Sequence, residues 1–368
     1  MIKRMKLENK KRVLVAMSGG VDSSVAAALL KKQGFNVSGV FMRLNNFSKK
    51  TEQDARKVAK KLNIPFFVWD FQKEFNKKVV EYFINEYQCG QTPNPCVECN
   101  KFIKFGILLE KAKKMGFDYL ATGHYVRINQ KSKIKNQNNK PKIYELLKAK
   151  DDKKDQSYFL WQLNQRQLAH VLFPIGDYKK EEIRKMAQKM KLPVFNKGDS
   201  QEICFLHDTD LRNFFNSHIR TNKGIIKTTD GRIMGEHEGL THYTIGQRKG
   251  IKVSNPKPLY VVAKDYKKNV LIVSENEKDL LKKEIIIEKV NWPCIDSQKQ
   301  SDMRRIFECE VKIRSTAKPV KARIKKISGK SASRWNKVIF KIPQRAIAPG
   351  QSAVFYQGNK LLGGGIIM

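Results

Sequence analysis

The first half of the chain alternates apolar runs with mixed ones. Val13-Leu14-Val15-Ala16-Met17 is continuously apolar and reads as a buried strand, and Val25 to Lys32 reads as a helix. The same alternation continues through Val37–Met42 (strand), Glu52–Leu62 (helix), Pro65–Asp70 (strand) and Phe71–Tyr87 (helix). Lys101–Met115 (helix) and Tyr119–Thr122 (strand) complete it. Strands alternating with helices predict an α/β domain with a doubly wound parallel sheet, whose ligands bind outside the carboxyl ends of the strands. Further on, Lys154 to Leu160 opens a helix with Asp155 as its cap, and Lys179–Lys191 is amphipathic and helical.

Beyond about residue 210 the period shortens. Gly224–Lys227, Thr229–Arg232, Tyr243–Gly246 and Leu259–Val262 predict a small β-rich module of short strands and turns. A further set follows at Ile285–Ile287, Phe307–Ile313, Ala322–Ile324, Val338–Phe340 and Ala353–Tyr356, with turn signals at Pro349-Gly350-Gln351 and Gly358-Asn359. Regular short strands of this kind predict a C-terminal β-barrel. The expected domains are therefore 1–210, catalytic; 211–283, β-rich; and 284–368, barrel.

The stretch Ser18-Gly19-Gly20-Val21-Asp22-Ser23-Ser24 joins the first strand to its helix. A helix N-terminus offers unpaired N–H groups and the positive end of the helix dipole, which together make an anion site. Gly19 and Gly20 let a phosphate approach the backbone; Ser18, Ser23 and Ser24 add hydroxyls; Asp22 can cap the helix or hold a metal. A tight turn with an ordinary cap would also produce a Gly-Gly pair. The string has neither the Gly-Lys-Ser/Thr of a Walker loop nor the spacing of a dinucleotide site. It resembles the pyrophosphate loop (PP-loop) of ATP-pyrophosphatases. Met42 and Gly123-His124 also fall at predicted strand carboxyl ends, so three separate stretches point to one crevice.

Charge adds a partner. The chain has 368 residues and 73 basic against 35 acidic side chains, a formal net charge of +38. That excess suits a polyanion, with nucleic acid foremost, although lysines such as Lys77, Lys78, Lys113 and Lys114 read as solvated helix faces. No run approaches the roughly 18 apolar residues of a membrane span, and the basic Met1–Lys6 start lacks a secretory core, so a cytoplasmic protein is expected. The polar, basic segment from Gln130 to Lys142 reads as a flexible loop or hairpin tip.

Of the six cysteines, Cys89, Cys294 and Cys309 stand singly and read as structural. Cys96 and Cys99 lie in Thr92-Pro93-Asn94-Pro95-Cys96-Val97-Glu98-Cys99-Asn100. A helix from Asn100 or Lys101 would set Cys99 beside its N-terminus and favour its thiolate. The pair could be half a zinc site, but no second CxxC or HxxxH pair follows; it could be a redox pair, or one thiol could work with a distant partner. That partner would be Cys204, in Gly198-Asp199-Ser200-Gln201-Glu202-Ile203-Cys204-Phe205. A lone cysteine with apolar flanks is more often a core residue. Here the polar approach suits a loop that presents a thiol.

Taken in order, SGGVDSS, TPNPCVECNKFIKF, ATGHY, DQSYFL, DSQEICF, LTHYTIGQRKGI and PGQSAVFY resemble the motifs of the bacterial tRNA-specific 2-thiouridylases, across nearly the whole length. The resemblance implies a PP-loop enzyme that replaces the C2 oxygen of the wobble uridine with sulfur. It implies that Ala16, Met17, Ser18, Gly19, Gly20, Val21, Asp22, Ser23, Met42 and Gly123 hold ATP, with magnesium accompanying it. It assigns Cys204 to the persulfide, and Cys99 to attack on that persulfide followed by a transient disulfide. Asn94, Pro95 and Cys96 correspond to the segment that meets the target base. Lys154, Asp155, Gln156, His124, Arg314, Ser315 and Gln351 correspond to other tRNA contacts. The partners it implies are the tRNAs for Lys, Glu and Gln and a persulfide-donating protein.

Two features depart from that pattern. Some relatives have Asp where this chain has Cys96, so a thiol there is not required for the persulfide route, and the 130–142 insertion is longer than expected. The rival chemistry is an iron–sulfur cluster on Cys96, Cys99 and Cys204 with one iron open for sulfide. The rivals from other classes are a non-sulfur PP-loop ligase of a small molecule and a nucleic-acid-binding scaffold with a vestigial loop.

Overall fold

The structure is a computed structural model that describes residues 10–46, 49–131, 143–199, 203–206, 210–293, 306–327 and 336–368. The chain divides into two compact units. Met1–Lys78, Val97–Gln201 and Asn359–Leu361 form the first; Val79–Cys96, Glu202–Gly358 and Leu362–Met368 form the second.

The first unit is built on a parallel sheet of β1 (Arg12–Ala16), β2 (Asn36–Arg43), β3 (Phe66–Asp70), β4 (Tyr119–Ala121) and, after the strands described next, β7 (Val171–Leu172). Its order is β3-β2-β1-β4-β7, and every pairing is parallel. Strands buried on both faces must be apolar throughout, as Val13, Leu14 and Val15 are. The chain steps outward from β1 to β3 and returns on the other side of β1 to β4, so the strand order reverses between β1 and β4. The core of this unit packs Val13, Val15 and Met17 with Val25, Ala26 and Leu29 of α1 (Val21–Lys32) and Ile183 and Ala187 of the helix Lys180–Lys189. Small residues on α1 let the two helices approach the strands closely. β5 (Val126–Lys131) and β6 (Ile143–Lys148) form an antiparallel hairpin. The expected basic tip, Lys131 to Lys142, falls at or outside the described residues.

In the second unit, β8 (Gly224–Thr228), β9 (Ile233–His237), β10 (Tyr260–Asp265) and β11 (Val270–Ser274) form a sheet ordered β10-β11-β8-β9 around Ile226, Val261, Leu271 and Val273. Tyr243–Gly246, expected to be a strand, instead follows a single tight turn at Leu240–His242 and forms no strand. The remaining strands are β12 (Leu281–Asn291), β13 (Phe307–Lys312), β14 (Val320–Lys326), β15 (Asn336–Arg345), β16 (Ser352–Gln357) and β17 (Lys360–Ile367). They run in the order β12-β15-β14-β13-β16-β17, and β12 pairs with β17, so these six strands close into a barrel. The fold class read from the sequence is therefore the one observed: a parallel-sheet domain, a β-rich module and a closed C-terminal barrel.

The last strand, with Gly363-Gly364-Gly365 at its centre, was not among the expected ones. Its glycines serve close approach. A Cβ on Gly363 would sit 2.1 Å from the Asn291 carbonyl oxygen, where β12 closes on β17. The substitution Gly363→Ala is expected to destabilise the fold by about 1–3 kcal/mol, the usual cost of overpacking, read by chemical denaturation.

Candidate functional site

β1 ends at Ala16, and the chain turns through Ser18–Gly20 into α1 at Val21. Gly19 makes the turn with φ 72° and Gly20 caps α1 in extended conformation. Asp22 does not cap the helix, as was one expectation. The serines complete the turn: Ser23 Oγ accepts from the Ser18 amide at 3.1 Å, and Ser24 Oγ donates to the Gly20 carbonyl at 2.7 Å. The loop that emerges presents backbone N–H groups at the positive end of a 12-residue helix.

Gly123, just past β4, lies directly against this loop. A Cβ there would stand 2.6 Å from the Ser23 amide nitrogen, so no larger residue fits without moving the start of α1. The two elements that flank the reversal of strand order thus meet at the loop, and Met42, half-buried, is the last residue but one of the neighbouring β2. Ala16, Met17, Ser18 to Ser23 and Gly123 therefore lie together. The tight glycines and the outward N–H groups fit a phosphate chain.

Charges on distant segments converge on the same loop. The Asp22 carboxylate accepts from the Tyr125 hydroxyl at 2.7 Å and from the Lys180 ammonium at 2.7 and 2.8 Å. Burial and the Asp22 charge hold the Tyr125 phenol far above its usual range, so it stays protonated as the donor. Asp199 lies 2.9 Å from Lys180, 2.8 Å from Lys154 and 2.5 Å from Arg184. Although burial opposes it, hydrogen bonds from Lys154 and Lys180 hold the Asp199 carboxyl well below the usual carboxylate range. Lys197 donates to the Gly19 carbonyl at 3.0 Å and to Asp54 at 2.7 Å. Sequence reading missed Lys180, Lys197, Arg184, Tyr125 and Asp54. Tyr125 closes a recognised motif, ATGHY, but was given no role; the lysines carry no local signal in so basic a chain.

The expected tRNA-side residues fall as follows. His124 is buried, with Nδ1 2.7 Å from the Thr122 hydroxyl and its ring against Phe105 and Phe173. Lys154 joins the Asp199 cluster. Asp155 accepts from the Ala149 amide and from the amide and hydroxyl of Ser157, and Gln156 accepts from the Tyr125 amide. Only one tight turn, Ser157–Leu160, follows them in place of the expected helix. In the second unit Gln351 donates to the Thr92 carbonyl at 2.7 Å, Arg314 donates to the Arg345 carbonyl at 2.9 Å, and Ser315 is half-buried.

The thiol segment departs from expectation in its helix start. Asn94 Oδ1 accepts from the Cys96 amide at 3.2 Å and Pro95 takes the first helical position, so the helix begins at Pro95 and not at Asn100. Cys96 is exposed in that first turn, while Cys99 lies one turn further in and is buried at 6% exposure. The stretch Cys99–Leu108 is wound as a wider π-helix. Cys204 is exposed. Cys309 lies in the barrel core, where burial pushes its thiol up to about 12, in keeping with a structural role; Cys89 is exposed, and Cys294 lies outside the described residues. Among the described residues no three His, Cys, Asp or Glu side chains gather in metal-binding geometry.

Residues 11–208 match the family described as "tRNA methyl transferase HUP domain", 212–275 the "tRNA methyl transferase PRC-barrel domain" and 282–367 the "Aminomethyltransferase beta-barrel domain". The chain is 44% identical over 97% of its length, and 98% of the relative's, to a protein of Clostridioides difficile (strain 630) named tRNA-specific 2-thiouridylase MnmA. It is 46% identical over 98% of its length, and 99% of the relative's, to one of Thermoanaerobacter sp. (strain X514) named tRNA-specific 2-thiouridylase MnmA 2. A solved U34-tRNA thiolase NcsA from Methanococcus maripaludis with its [4Fe-4S] cluster is 17% identical, with a TM-score of 0.35 over 58% of this chain and 69% of that one. That likeness is too slight to bring its cluster here.

Two outcomes follow from this geometry. Gly123→Ala is expected to lower pyrophosphate release from ATP at least about tenfold, mainly through a raised ATP KM, because the new methyl meets backbone. Burial and Lys104 hold His124 well below its ordinary 6.5, so the folded chain keeps it neutral while the unfolded chain protonates it. Its stabilising contribution is full above pH 6.5 and is lost as pH falls toward the folded value. Between pH 7 and pH 5, His124→Gln should remove about 2 kcal/mol of the acid-induced stability loss, read by denaturant titration at both pH values.

Proposed function

The chain belongs to the tRNA-specific 2-thiouridylase family, and from that premise we propose how its own residues carry the reaction. It is a PP-loop sulfurtransferase that uses ATP to 2-thiolate uridine in tRNA. The observation that carries this conclusion is a match to relatives named for that activity at 44–46% identity along nearly the whole chain.

The uracil C2 carbonyl is a poor electrophile, because oxide is a poor leaving group. Transfer of AMP from ATP to that oxygen releases pyrophosphate and makes AMP the leaving group. On the proposed route the loop 18–23, Met42 and Gly123 hold the nucleotide, and magnesium accompanies its phosphates. The terminal sulfur of a Cys204 persulfide attacks C2 and expels AMP with the former oxygen. The Cys99 thiolate then attacks Cys204 Sγ. The S–S bond to the transferred sulfur breaks, its electron pair leaves with that sulfur as the 2-thio group, and a Cys99–Cys204 disulfide remains for an external thiol to reduce. The route requires both sulfurs within bonding distance when the disulfide forms.

The target base leaves its stack to reach the site. Asn94, Pro95 and Cys96 meet it, while Lys154, Asp155, Gln156, His124, Arg314, Ser315 and Gln351 belong to the tRNA-facing set. The net charge of +38 supports an RNA held largely through its phosphates. The substrates are the tRNAs for Lys, Glu and Gln, the sulfur comes from a persulfide-bearing protein, and the enzyme works in the cytoplasm. No helix among the described residues is long and apolar enough to cross a membrane. The domains are proposed to divide at 1–210, 211–283 and 284–368. The matched domains carry a methyltransferase description, but an adenylating loop and a thiol route serve thiolation.

The test is mass analysis of the wobble uridine after incubation with tRNA, ATP, magnesium and a persulfide donor. The base is expected to gain the mass difference between sulfur and oxygen. Cys204→Ser should cut product by roughly a thousandfold or more while tRNA binding persists. Full turnover by Cys204→Ser would point to a small-molecule ligase. Methyl incorporation from S-adenosylmethionine in place of sulfur would overturn the assignment.

A further inference from the structure

The loop that receives the triphosphate contains no lysine or arginine: Ser18-Gly19-Gly20-Val21-Asp22-Ser23-Ser24 is neutral apart from one acidic side chain. Departing pyrophosphate carries several negative charges, whereas a helix N-terminus supplies only about half of one positive charge. Beyond the charge that magnesium carries in with the phosphates, any side-chain cation must come from elsewhere in the fold. Two ammonium groups of the first unit are bonded to this loop. Lys180 reaches it through Asp22, and Lys197 donates to the carbonyl of Gly19 itself.

Both lysines are held in place before any ligand arrives. Lys180, only 9% exposed, is fixed by Asp22 and Asp199, and Asp199 is in turn held by Lys154 and Arg184. Lys197 is fixed by Asp54. Burying a long cation costs side-chain entropy and hydration. Two carboxylates around one ammonium offset that cost and leave the lysine aimed at the start of α1. This is the arrangement expected of groups that stabilise a charge appearing during the reaction, because they need no reorganisation when it appears.

The geometry points to Lys180 and Lys197 as the cationic ligands of the pyrophosphate that leaves when ATP adenylates its substrate. They do for this lysine-free loop what an internal lysine does for a Walker loop. Asp22, Asp199 and Asp54 position them, and Arg184 and Lys154 position Asp199. The assignment rests on the ATP-dependent reading of the site.

Calorimetric titration of the intact protein with magnesium pyrophosphate, and separately with AMP, tests it. Lys180→Met and Lys197→Met are each expected to weaken pyrophosphate at least about tenfold, the loss of a charge-assisted hydrogen bond or two, while AMP changes by less than about twofold. Lys180→Arg, which keeps the charge, should recover most of the pyrophosphate affinity. Pyrophosphate bound at wild-type strength by folded variants would overturn the assignment. So would equal losses for pyrophosphate and AMP, since the lysines would then only shape the loop. Should Lys180→Met fail to fold, the more exposed Lys197→Met decides alone. Neither titration contains tRNA or sulfur, so a failure to thiolate would count against the proposed reaction and leave this result standing.

Discussion

The structure turns on how closely the end of one strand passes the start of one helix. Gly123 lies so near the Ser23 amide that no side chain fits between them. That contact brings the exits of β1 and β4 together at the point where the strand order reverses. A parallel sheet leaves a crevice at such a point, and here the crevice narrows onto backbone N–H groups. Once the backbone is this close, side chains cannot supply charge from inside the loop. The charges arrive from the helix Lys180–Lys189 and the segment around Lys197 and Asp199, which reach back to the loop through Asp22 and Gly19.

The electrostatics of the loop follow from that constraint. Asp22 accepts from Tyr125 and Lys180, Asp199 is shared by Lys154, Lys180 and Arg184, and Asp54 pairs with Lys197. Each carboxylate therefore has a cationic partner, and the partners outnumber them. Partly buried pairs of this sort contribute little net stability, because the cost of desolvation offsets the attraction. Their value is geometric: they fix where an ammonium points. The same cluster includes Asp199, which opens the sequence that leads to Cys204.

Much of this was legible in the sequence because the signals were local. An apolar run, a glycine turn and an alanine-rich helix define β1, the loop and α1 without outside help. The parts that were not legible depend on long-range pairing. Lys180 lies 158 residues from Asp22 and Lys197 lies 178 from Gly19, and neither has a neighbour that marks it among 73 basic residues. Proline misled in the opposite direction. The helix was expected only from Asn100 or Lys101, yet Asn94 caps a helix that Pro95 begins, since a first helical position needs no amide hydrogen. The strand through the triple glycine near the C-terminus was not expected either, because barrel closure at Asn291, which requires a position with no side chain, is a long-range pairing.

The earlier helix start changes how the thiols divide their work. Had the helix begun at Asn100, Cys99 would have sat exposed at a positive helix end, primed for oxidation as much as for catalysis. Beginning at Pro95, the helix leaves Cys96 in the exposed first turn and carries Cys99 into the interior. Cys204 is exposed. On the proposed route this is the useful asymmetry. The thiol that collects sulfur from a protein donor must be reachable from solvent, and the thiol that discharges it gains from being covered until the substrate is in place. A buried nucleophile also limits wasteful attack on the persulfide before C2 is activated, because the sulfur then leaves as free hydrosulfide.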